Sequence, residues 1–176
     1  KKELKIPNDT YIIGSFQRDT EGSDLVSPKL SKGPDRFIKI LKDMKDEKDL
    51  FIILAGKRRA YVISELEKLN IEYKYFEMAD NRLLNKLYNC LDLYIVASRV
   101  EGGPQAIIEC SLSKTPIIST DVGIAPEILS KKSIFNMDNF MNAEADIKYA
   151  YERASAFTIP KGFNKFLDMF ELINEN

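Results

Sequence analysis

The sequence predicts a single α/β domain of the doubly wound kind, in which helices cover both faces of a mostly parallel sheet of about six strands. Two observations lead to this prediction. Leu50–Ala55 is an unbroken apolar run, LFIILA, and continuous apolarity is typical of a strand that is buried on both faces of a parallel sheet. Strand-like segments also alternate with segments whose apolar residues recur at helical spacing, which favours right-handed β-α-β crossovers.

Six segments have strand character, because each is a short run of apolar, aromatic or β-branched residues bounded by polar residues, Gly or Pro. They are residues 11–16, 50–55, 73–76, 93–97, 116–120 and 133–135. A polar segment at residues 1–10 precedes the first strand, and we expect it to be a linker. The polar stretch at residues 17–33 is long for a loop in a compact domain, which indicates that it is either functional or mobile.

Apolar residues at helical spacing predict helices between and after the strands. Pro34 and Asp35 are expected to open the first helix, and Asp80 to cap the third. The last stripe predicts a C-terminal helix over residues 162–176, with its side chains in the core or, alternatively, against a second domain. The stripes are Phe37, Ile38, Leu41 and Met44; Val62, Ile63, Leu66 and Leu69; Leu83, Leu84, Leu87, Tyr88 and Leu91; Ala143, Ile147, Ala150 and Ala154; and Phe163, Phe166, Leu167, Phe170 and Ile173.

The composition limits the classes of function. The 176 residues are enough for one domain with a hydrophobic core. The net charge is −1 and the charges are mixed in sign, which argues against nucleic acid or an anionic membrane as the main partner. No apolar run approaches the roughly 18 residues that a membrane-spanning helix needs. The absence of histidine excludes Ser-His-Asp and Cys-His catalysis by this chain alone.

Two cysteines, Cys90 and Cys110, fall among apolar neighbours on predicted helices. We expect both to be buried free thiols, which favours a reducing, cytoplasmic setting. The chain begins at Lys1 without a methionine, and we therefore expect it to be a fragment of a longer protein.

Polar residues follow four of the predicted strands, at residues 14–18, 56–58, 98–105 and 120–123. In an open parallel sheet, ligands bind at the carboxyl ends of the strands, so the predicted fold would bring these four segments together. All of them are rich in glycine or in charge, unlike the strands. Their convergence predicts a binding site at that edge of the sheet.

Residues 98–110, SRVEGGPQAIIEC, join the fourth strand to a helix. If Pro104 is the first helical residue, its missing N–H is one that a helix start leaves unpaired anyway. The free N–H groups of Gln105 and Ala106 would then face a ligand beyond the end of the strand. That arrangement suits a phosphate or another anion.

Two glycines and two glutamates complete this segment. Gly102 and Gly103 would let a ligand approach the backbone closely. Glu101 and Glu109 would repel a phosphate, so we expect them to hold hydroxyl groups of the same ligand. Arg18, with lysines nearby in sequence, is the basic partner that a diphosphate needs. The residues therefore predict a site for a molecule that carries both phosphate and hydroxyl groups.

With the strand, the Gly-Gly-Pro turn and the helix around them, Glu101 and Glu109 resemble the Glu-x7-Glu motif of the family-four retaining glycosyltransferases, which use nucleotide-sugar donors. The resemblance runs over residues 11–129 and implies a Rossmann-like domain. The full enzymes have two such domains facing each other across a cleft, an N-terminal one for the acceptor and a C-terminal one for the nucleotide-sugar. This chain resembles the C-terminal one, so residues 1–10 would be the linker from a missing acceptor domain.

The resemblance implies roles for two basic residues. Lys32, followed by Gly33, matches a Lys-Gly pair whose lysine holds the donor diphosphate in the family. Arg18 would do the same, but it departs from the family pattern of Gly-Arg after the first strand, since Gly14 is followed by Ser15. Both side chains would stabilise the departing diphosphate as its charge grows in the transition state.

Further roles follow from the same resemblance. Glu101 would bind the sugar hydroxyls of the donor and act in catalysis by holding the sugar in position. Glu109 would bind the ribose hydroxyls, and the backbone of residues 102–106 would bind the diphosphate. Arg58 would lie near the nucleotide, whereas Gly123 belongs to a stretch that packs and shapes the site.

The implied reaction is transfer of a sugar from a nucleoside diphosphate sugar to an acceptor hydroxyl, with retention of the anomeric configuration, in cell-surface glycan or polysaccharide biosynthesis. No cofactor or metal is expected, because the basic residues and the helix dipole would replace a divalent cation. The implied partners are the nucleotide-sugar and a glycan or lipid-linked acceptor on the missing domain, with no nucleic acid and no membrane contact by this domain itself. We expect the protein in the cytoplasm, with the inner face of the membrane as the setting of the full-length enzyme, and little turnover by the 176-residue chain alone.

Three alternatives share this architecture. A nucleotide-sugar epimerase would need further acid–base residues, and the lack of histidine speaks against it. A non-catalytic receiver-type module would need clustered aspartates after the first strand, where the chain has Phe16, Gln17 and Arg18. A dinucleotide-dependent dehydrogenase would need Gly-x-Gly-x-x-Gly after that strand, and the sequence after Gly14 lacks it.

Overall fold

The computed structural model describes residues 1–22, 24 and 26–174, and in that part of the chain six strands form one sheet. The strands are β1 (Tyr11–Ser15), β2 (Leu50–Ala55), β3 (Glu72–Phe76), β4 (Leu93–Val96), β5 (Ile117–Thr120) and β6 (Ile134–Phe135). Their order is β3-β2-β1-β4-β5-β6, and all neighbouring pairs are parallel. Because the order of strands reverses between β1 and β4, a crevice opens at their carboxyl ends. The predicted parallel sheet is confirmed.

Helices follow the strands along the chain. They are α1 (Pro34–Met44), α2 (Ala60–Lys68), α3 (Asn81–Tyr88), α4 (Gln105–Ser113), α5 (Ala125–Ile128), α6 (Ile147–Ala154) and α7 (Lys161–Asn174). Short 3-10 helices lie at Lys2–Leu4, Leu30–Lys32, Lys131–Ser133, Phe140–Asn142 and Ser155–Phe157. The sequence predicts the longer helices but not α5, which has too few residues to show a helical stripe.

The sheet divides the core into two layers. Because successive residues of a strand point to opposite faces, Phe51 and Ile53 of β2 belong to the buried cluster that includes residues of α3, α4, α5 and α6. Ile52 and Leu54 belong to the cluster that includes residues of α1 and α2. All six residues of β2 are buried, and burial on both faces explains the continuous apolar run.

Two predicted helix starts are confirmed. Pro34 is the first residue of α1, where its missing N–H costs no hydrogen bond. The Asp80 carboxylate accepts the N–H of Leu83 at 2.7 Å and so caps α3.

Two other predicted starts are wrong. Pro104 has an extended ψ of 111° and its carbonyl accepts the N–H of Ile107 at 3.0 Å, so Gln105 is the first helical residue. The proline ring fixes φ near −60° in either role, which is why the sequence does not separate the two. Ala143 lies before α6, because Asp146 caps that helix with its side chain.

The N-terminal segment contacts the domain. Residues 1–10, predicted to be a linker, include the first 3-10 helix and bury Ile6 in the core. Cys90 and Cys110 are buried free thiols, as predicted, and burial raises the pKa of the Cys110 thiol well above its usual value. Among the described residues, no helix combines the length and the apolar character that crossing a membrane requires.

The C-terminal helix α7 exposes its apolar stripe. The side chains of Phe163, Leu167 and Phe170 are 55%, 46% and 56% exposed, so the prediction that they lie in the core is wrong. The same prediction covers the side chains of Phe166 and Ile173 and residues 175 and 176, which lie outside the described residues.

Candidate functional site

A cleft of about 350 Å³ opens at the carboxyl ends of β1 and β4, beside the first turn of α4. Seven of its lining residues are predicted site residues: Lys32, Glu101, Gly103, Pro104, Gln105, Ala106 and Glu109. The other five are Phe16, Gln17, Leu84, Tyr88 and Tyr94. The fold therefore brings together side chains from the loops after β1 and β4 and from helices α3 and α4.

A larger hollow of about 750 Å³ lies at the opposite edge of the sheet. It is lined by residues 45–50, between α1 and β2, and by residues 69–72, between α2 and β3. These segments surround the amino ends of the strands, whereas ligands of open parallel sheets bind at the carboxyl ends. Its wall also carries more acidic than basic side chains, which is unsuited to an anionic ligand. We therefore take the smaller cleft as the candidate site.

Lys32 and Glu101 form an ion pair at one end of the cleft. The Lys32 ammonium lies 2.5 Å from Glu101 Oε2, and the two side chains are 30% and 9% exposed. The hydroxyl of Ser98, itself fully buried, donates to Glu101 Oε1 at 3.0 Å. The carboxylate is thus held on both oxygens, and the pair places one positive and one negative group within reach of the same ligand.

Backbone contacts hold the two loops of this pair together. The N–H groups of Arg99 and Val100 donate to the carbonyl of Ser31 at 2.8 Å and 3.2 Å. The side-chain amide of Gln17 donates to the carbonyl of Lys32 at 2.9 Å. The positions of the Lys32 ammonium and of the Glu101 carboxylate are therefore set by the same network of hydrogen bonds.

Two glycines in left-handed conformations form the cleft floor, by which we mean the backbone contacts beneath Lys32 and Glu101. Gly33 has φ 64°, and a Cβ there would lie 1.9 Å from the carbonyl oxygen of Ala97. Gly123 has φ 49°, and a Cβ there would lie 2.2 Å from the carbonyl oxygen of Gly102. No side chain fits at either position, so the packing role that the sequence suggests for Gly123 has a direct steric basis.

The first turn of α4 faces the cleft with free donors. Within the described residues, the N–H groups of Gln105 and Ala106 have no hydrogen-bond acceptor. A Cβ added at Gly102 or Gly103 would meet nothing within 4 Å, so the protein's own packing does not demand glycine there. Open space above a helix N-terminus is an arrangement that accommodates an anion.

Glu109 lies one turn further along α4, where Tyr88 contacts it. The Tyr88 hydroxyl donates to Glu109 Oε2 at 2.7 Å. Burial raises the pKa of Tyr88 far above its usual value, with the nearby Tyr94, Cys110 and Glu109 adding to the rise, so the phenol remains a hydrogen-bond donor at neutral pH. Sequence reasoning places Tyr88 only in the apolar stripe of α3, and no local signal marks it as a contact of the site.

Four predicted site residues do not line the cleft. Gly14 lies inside β1, where a Cβ would be 2.3 Å from Leu91 Cδ1, so tight packing of the strand explains this glycine. The side chains of Arg18 and Arg58 are exposed. Arg58 has φ 62°, and its carbonyl accepts the N–H groups of Asp19 and Thr20. Gly102 lies at the turn above Gly123 but is not among the residues that line the cleft.

A buried ion pair between Asp19 and Arg59 lies behind the loop that leads to Lys32. The Arg59 guanidinium is 3.1 Å from the Asp19 carboxylate, and the two side chains are 0% and 3% exposed. Arg59 also donates to the hydroxyl of Ser15 at 3.0 Å. Burial raises the pKa of Asp19 to about 6, although the charge of Arg59 opposes the rise. The sequence gives no signal for this pair, because Arg58 and Arg59 both look like loop charges.

Comparisons with known proteins concern the family and the fold of the chain. A family model described as "Glycosyl transferases group 1" matches residues 28–154. No curated protein sequence matches the chain.

Solved structures share the fold. Sucrose-phosphate synthase from Thermosynechococcus elongatus superposes with a TM-score of 0.71 at 16% identity, over 99% of this chain and 47% of that one. The C-terminal domain of the glycosyl transferase group 1 family protein LpcC from Francisella tularensis gives 0.66 at 21% identity, over 90% and 91%. The catalytic domain of cholesterol-alpha-glucosyltransferase from Helicobacter pylori gives 0.65 at 17% identity, over 85% and 99%. The chain spans about half the length of the sucrose-phosphate synthase chain.

Proposed function

The chain belongs to the glycosyl transferases group 1 family, and on that premise we propose that it is the domain of a retaining glycosyltransferase that binds a nucleoside diphosphate sugar. One observation carries the proposal. A single cleft contains the Lys32 ammonium, the Glu101 and Glu109 carboxylates and the free N–H groups at the start of α4. A nucleoside diphosphate sugar has a doubly charged centre with hydroxyl-bearing groups on both sides. Its charged centre matches the ammonium and the N–H groups, and its hydroxyl groups match the two carboxylates.

The diphosphate lies, in this proposal, against the first turn of α4. The N–H groups of Gln105 and Ala106 bind its oxygens, and Lys32 pairs with its charge. When the bond between the anomeric carbon and the diphosphate breaks, negative charge grows on the leaving group, and these donors are already in place to stabilise it. Lys32 and the helix N-terminus supply this charge stabilisation from the chain itself, so the proposal assigns no role to a metal ion.

The two carboxylates bind hydroxyl groups on either side of the diphosphate. Glu101 accepts from the donor sugar and fixes its orientation for attack by the acceptor. Glu109 lies four residues after Gln105, about 6 Å further along the helix axis, and accepts from the ribose. Arg18 and Arg58 are exposed outside the cleft, so the proposal gives them no direct contact with the diphosphate.

The remaining substrates are proposed in outline. The acceptor is a hydroxyl group of a glycan or a lipid-linked saccharide, bound by a second domain that faces this one. Cell-surface glycan or polysaccharide assembly in the cytoplasm, at the inner face of the membrane, is the proposed setting. The family match supports sugar transfer, and a net charge of −1 with mixed signs does not suit nucleic acid as the main partner.

Isothermal titration of the 176-residue chain with the diphosphates and diphosphate sugars of uridine, guanosine, adenosine and cytidine tests the proposal. We expect the nucleotides of one of the four bases to bind with a dissociation constant in the micromolar to millimolar range. This corresponds to a binding free energy on the order of −4 to −8 kcal/mol. EDTA should leave that affinity unchanged. A chain that binds none of these molecules at millimolar concentration does not have the proposed function.

A further inference from the structure

Tyr88 is the last residue of α3 and is 4% exposed. Its ring packs against two others, with the centroid 4.9 Å from that of Phe16 and 5.7 Å from that of Tyr94. Tyr94 is itself fixed, because its hydroxyl accepts the N–H of Phe16 at 2.9 Å. The phenol oxygen of Tyr88 therefore has one well-defined position at the wall of the cleft.

Glu109 has the opposite character. It is an exposed residue on the outer side of α4, and a glutamate at such a position loses considerable side-chain entropy when it is held in one rotamer. It lines both the cleft and a second cavity of about 320 Å³, which lies between α3 and α4. Its carboxylate therefore has open space on two sides, only one of which faces the candidate site.

The phenol of Tyr88, which lines both spaces as well, holds the carboxylate in one position between them. It donates its single proton to Glu109 Oε2 at 2.7 Å, and in the part of the chain that the structure describes it is the only donor to this carboxylate. An ionised carboxylate accepts on both oxygens, so Oε1 remains available to a hydroxyl group of a ligand. Because this hydrogen bond is made entirely within the protein, the carboxylate is held without any contact from a ligand, and the ordering cost is not added to binding.

We propose that Tyr88 is a positioning residue for Glu109, and that through it the chain distinguishes a ribonucleoside diphosphate from its 2′-deoxy counterpart. The inference rests on the proposed function, since it takes the ligand to be a nucleoside diphosphate. A ribose offers two adjacent hydroxyl groups to the positioned carboxylate. A 2′-deoxyribose lacks one of them, and the hydrogen bond from the buried Tyr88 to Glu109 prevents the carboxylate from moving to compensate.

The test compares affinities for the ribonucleoside and the 2′-deoxyribonucleoside diphosphate of the base that binds best, measured by titration calorimetry on the full chain. We expect the wild type to prefer the ribonucleotide by about tenfold, the effect of one hydrogen bond to a charged group. Tyr88→Phe keeps the ring and its packing but removes the donor. It should weaken ribonucleotide binding by about fivefold and 2′-deoxyribonucleotide binding by less than about twofold, so that the preference falls to about twofold to fourfold.

Tyr73→Phe is the matched control. The Tyr73 hydroxyl donates to Glu67 at 3.0 Å, so this variant also removes a Tyr–Glu hydrogen bond, but on β3 and α2, away from the cleft. Both affinities should equal those of the wild type. Glu109→Gln should lose most of the preference for ribose, because an amide offers one acceptor oxygen instead of two.

The outcomes separate this inference from the proposed function. If no nucleoside diphosphate binds the wild type, the proposed function fails and this inference fails with it. If ribonucleotides bind but Tyr88→Phe keeps the wild-type ratio of the two affinities, the proposed function stands and the positioning role is wrong. A role of Tyr88 in folding alone would lower the melting temperature of Tyr88→Phe and leave that ratio unchanged, which would also overturn the inference.

Discussion

The guanidinium of Arg99 and the carboxylate of Asp35 face each other through two parallel hydrogen bonds, of 2.7 Å and 2.6 Å. Arg99 also donates to the carbonyl of Leu30 at 2.8 Å. Asp35 is in the first turn of α1, three residues after Lys32, and Arg99 is two residues before Glu101. The fork therefore joins the two loops whose side chains form the ion pair of the cleft.

Arg99→Lys tests whether this fork sets the geometry of the cleft. Lysine keeps the charge but cannot make two parallel bonds. We expect the free energy of unfolding to fall by about 1 kcal/mol and the affinity for a nucleoside diphosphate to fall by about threefold to tenfold, as measured by urea denaturation and calorimetry. Lys39→Ala, which breaks the exposed pair with Asp43 on α1, is the control and should leave the affinity unchanged. Equal affinities of Arg99→Lys and the wild type would contradict the expectation.

Variants of Lys32 and Glu101 should affect different parts of the ligand. Lys32→Met removes the charge opposite the diphosphate, and it should weaken the binding of diphosphate and diphosphate sugar alike, by about tenfold. Glu101→Gln should leave binding of the diphosphate unchanged or stronger, because it removes a negative charge. It should, however, reduce the amount by which the diphosphate sugar binds more tightly than the diphosphate. Titrations with both ligands separate the two effects. If Glu101→Gln weakens both ligands equally, the assignment of Glu101 to the sugar is wrong.

Two glycines near the cleft should respond in opposite ways to alanine. Gly123→Ala places a methyl group 2.2 Å from the carbonyl oxygen of Gly102 at a positive φ, and it should lower the free energy of unfolding by about 1–3 kcal/mol. Gly103→Ala meets no protein atom within 4 Å, so it should leave stability unchanged while it weakens nucleotide binding. Thermal melting and calorimetry on both variants test the contrast. Unchanged nucleotide binding by Gly103→Ala would contradict a ligand above this glycine.

The buried carboxyl of Asp19 should make stability depend on pH in an unusual direction. Its folded pKa of about 6 lies above the value of about 4 for an unfolded aspartate. The contribution to stability is therefore complete below about pH 4 and is lost as the pH rises through about 6.

Chemical denaturation of the wild type and of Asp19→Asn, at several values between pH 4 and pH 7, tests this expectation. The free energy of unfolding of the wild type relative to Asp19→Asn should decrease by on the order of 2 kcal/mol over that range. Asp24→Asn is the contrast, because hydrogen bonds from Ser27 and Val26 lower the pKa of Asp24 and its contribution is lost as the pH falls. A difference between wild type and Asp19→Asn that does not change with pH would contradict the raised pKa.

The sheet could be predicted from the sequence because a strand that is buried on both faces has an uninterrupted run of apolar residues. Leu50–Ala55 shows this most clearly, since all six positions are buried and all six are apolar. The ends of the strands are less certain, and Phe16, Ala97 and Pro116 lie one residue outside the strands that the sequence assigns them to. Hydrogen bonding to neighbouring strands decides those ends, and composition does not record it.

The cleft could be predicted for a different reason. A parallel sheet places the residues after β1 and β4 side by side whatever their identity, so Lys32 and Glu101 are neighbours although 69 positions separate them in the sequence. The contacts of Tyr88 with Glu109 and of Asp19 with Arg59 could not be predicted. They depend on which side of a helix or a loop a residue faces after packing, and the sequence gives that side only for regular apolar stripes.

The cleft floor has a consequence for changing the specificity of this domain. Beneath Lys32 and Glu101, Gly33 lies against the carbonyl of Ala97, and Gly123 lies against that of Gly102, with no intervening side chain. The cleft floor consists of main-chain atoms, which a change of side chain does not reshape. Any redesign would therefore keep this floor. Variation in the base or the sugar that is accepted must come from the walls, where Phe16 and Leu84 can each be exchanged while Tyr88 keeps its bond to Glu109. A library for altered donor choice should therefore diversify the walls and leave the glycines fixed.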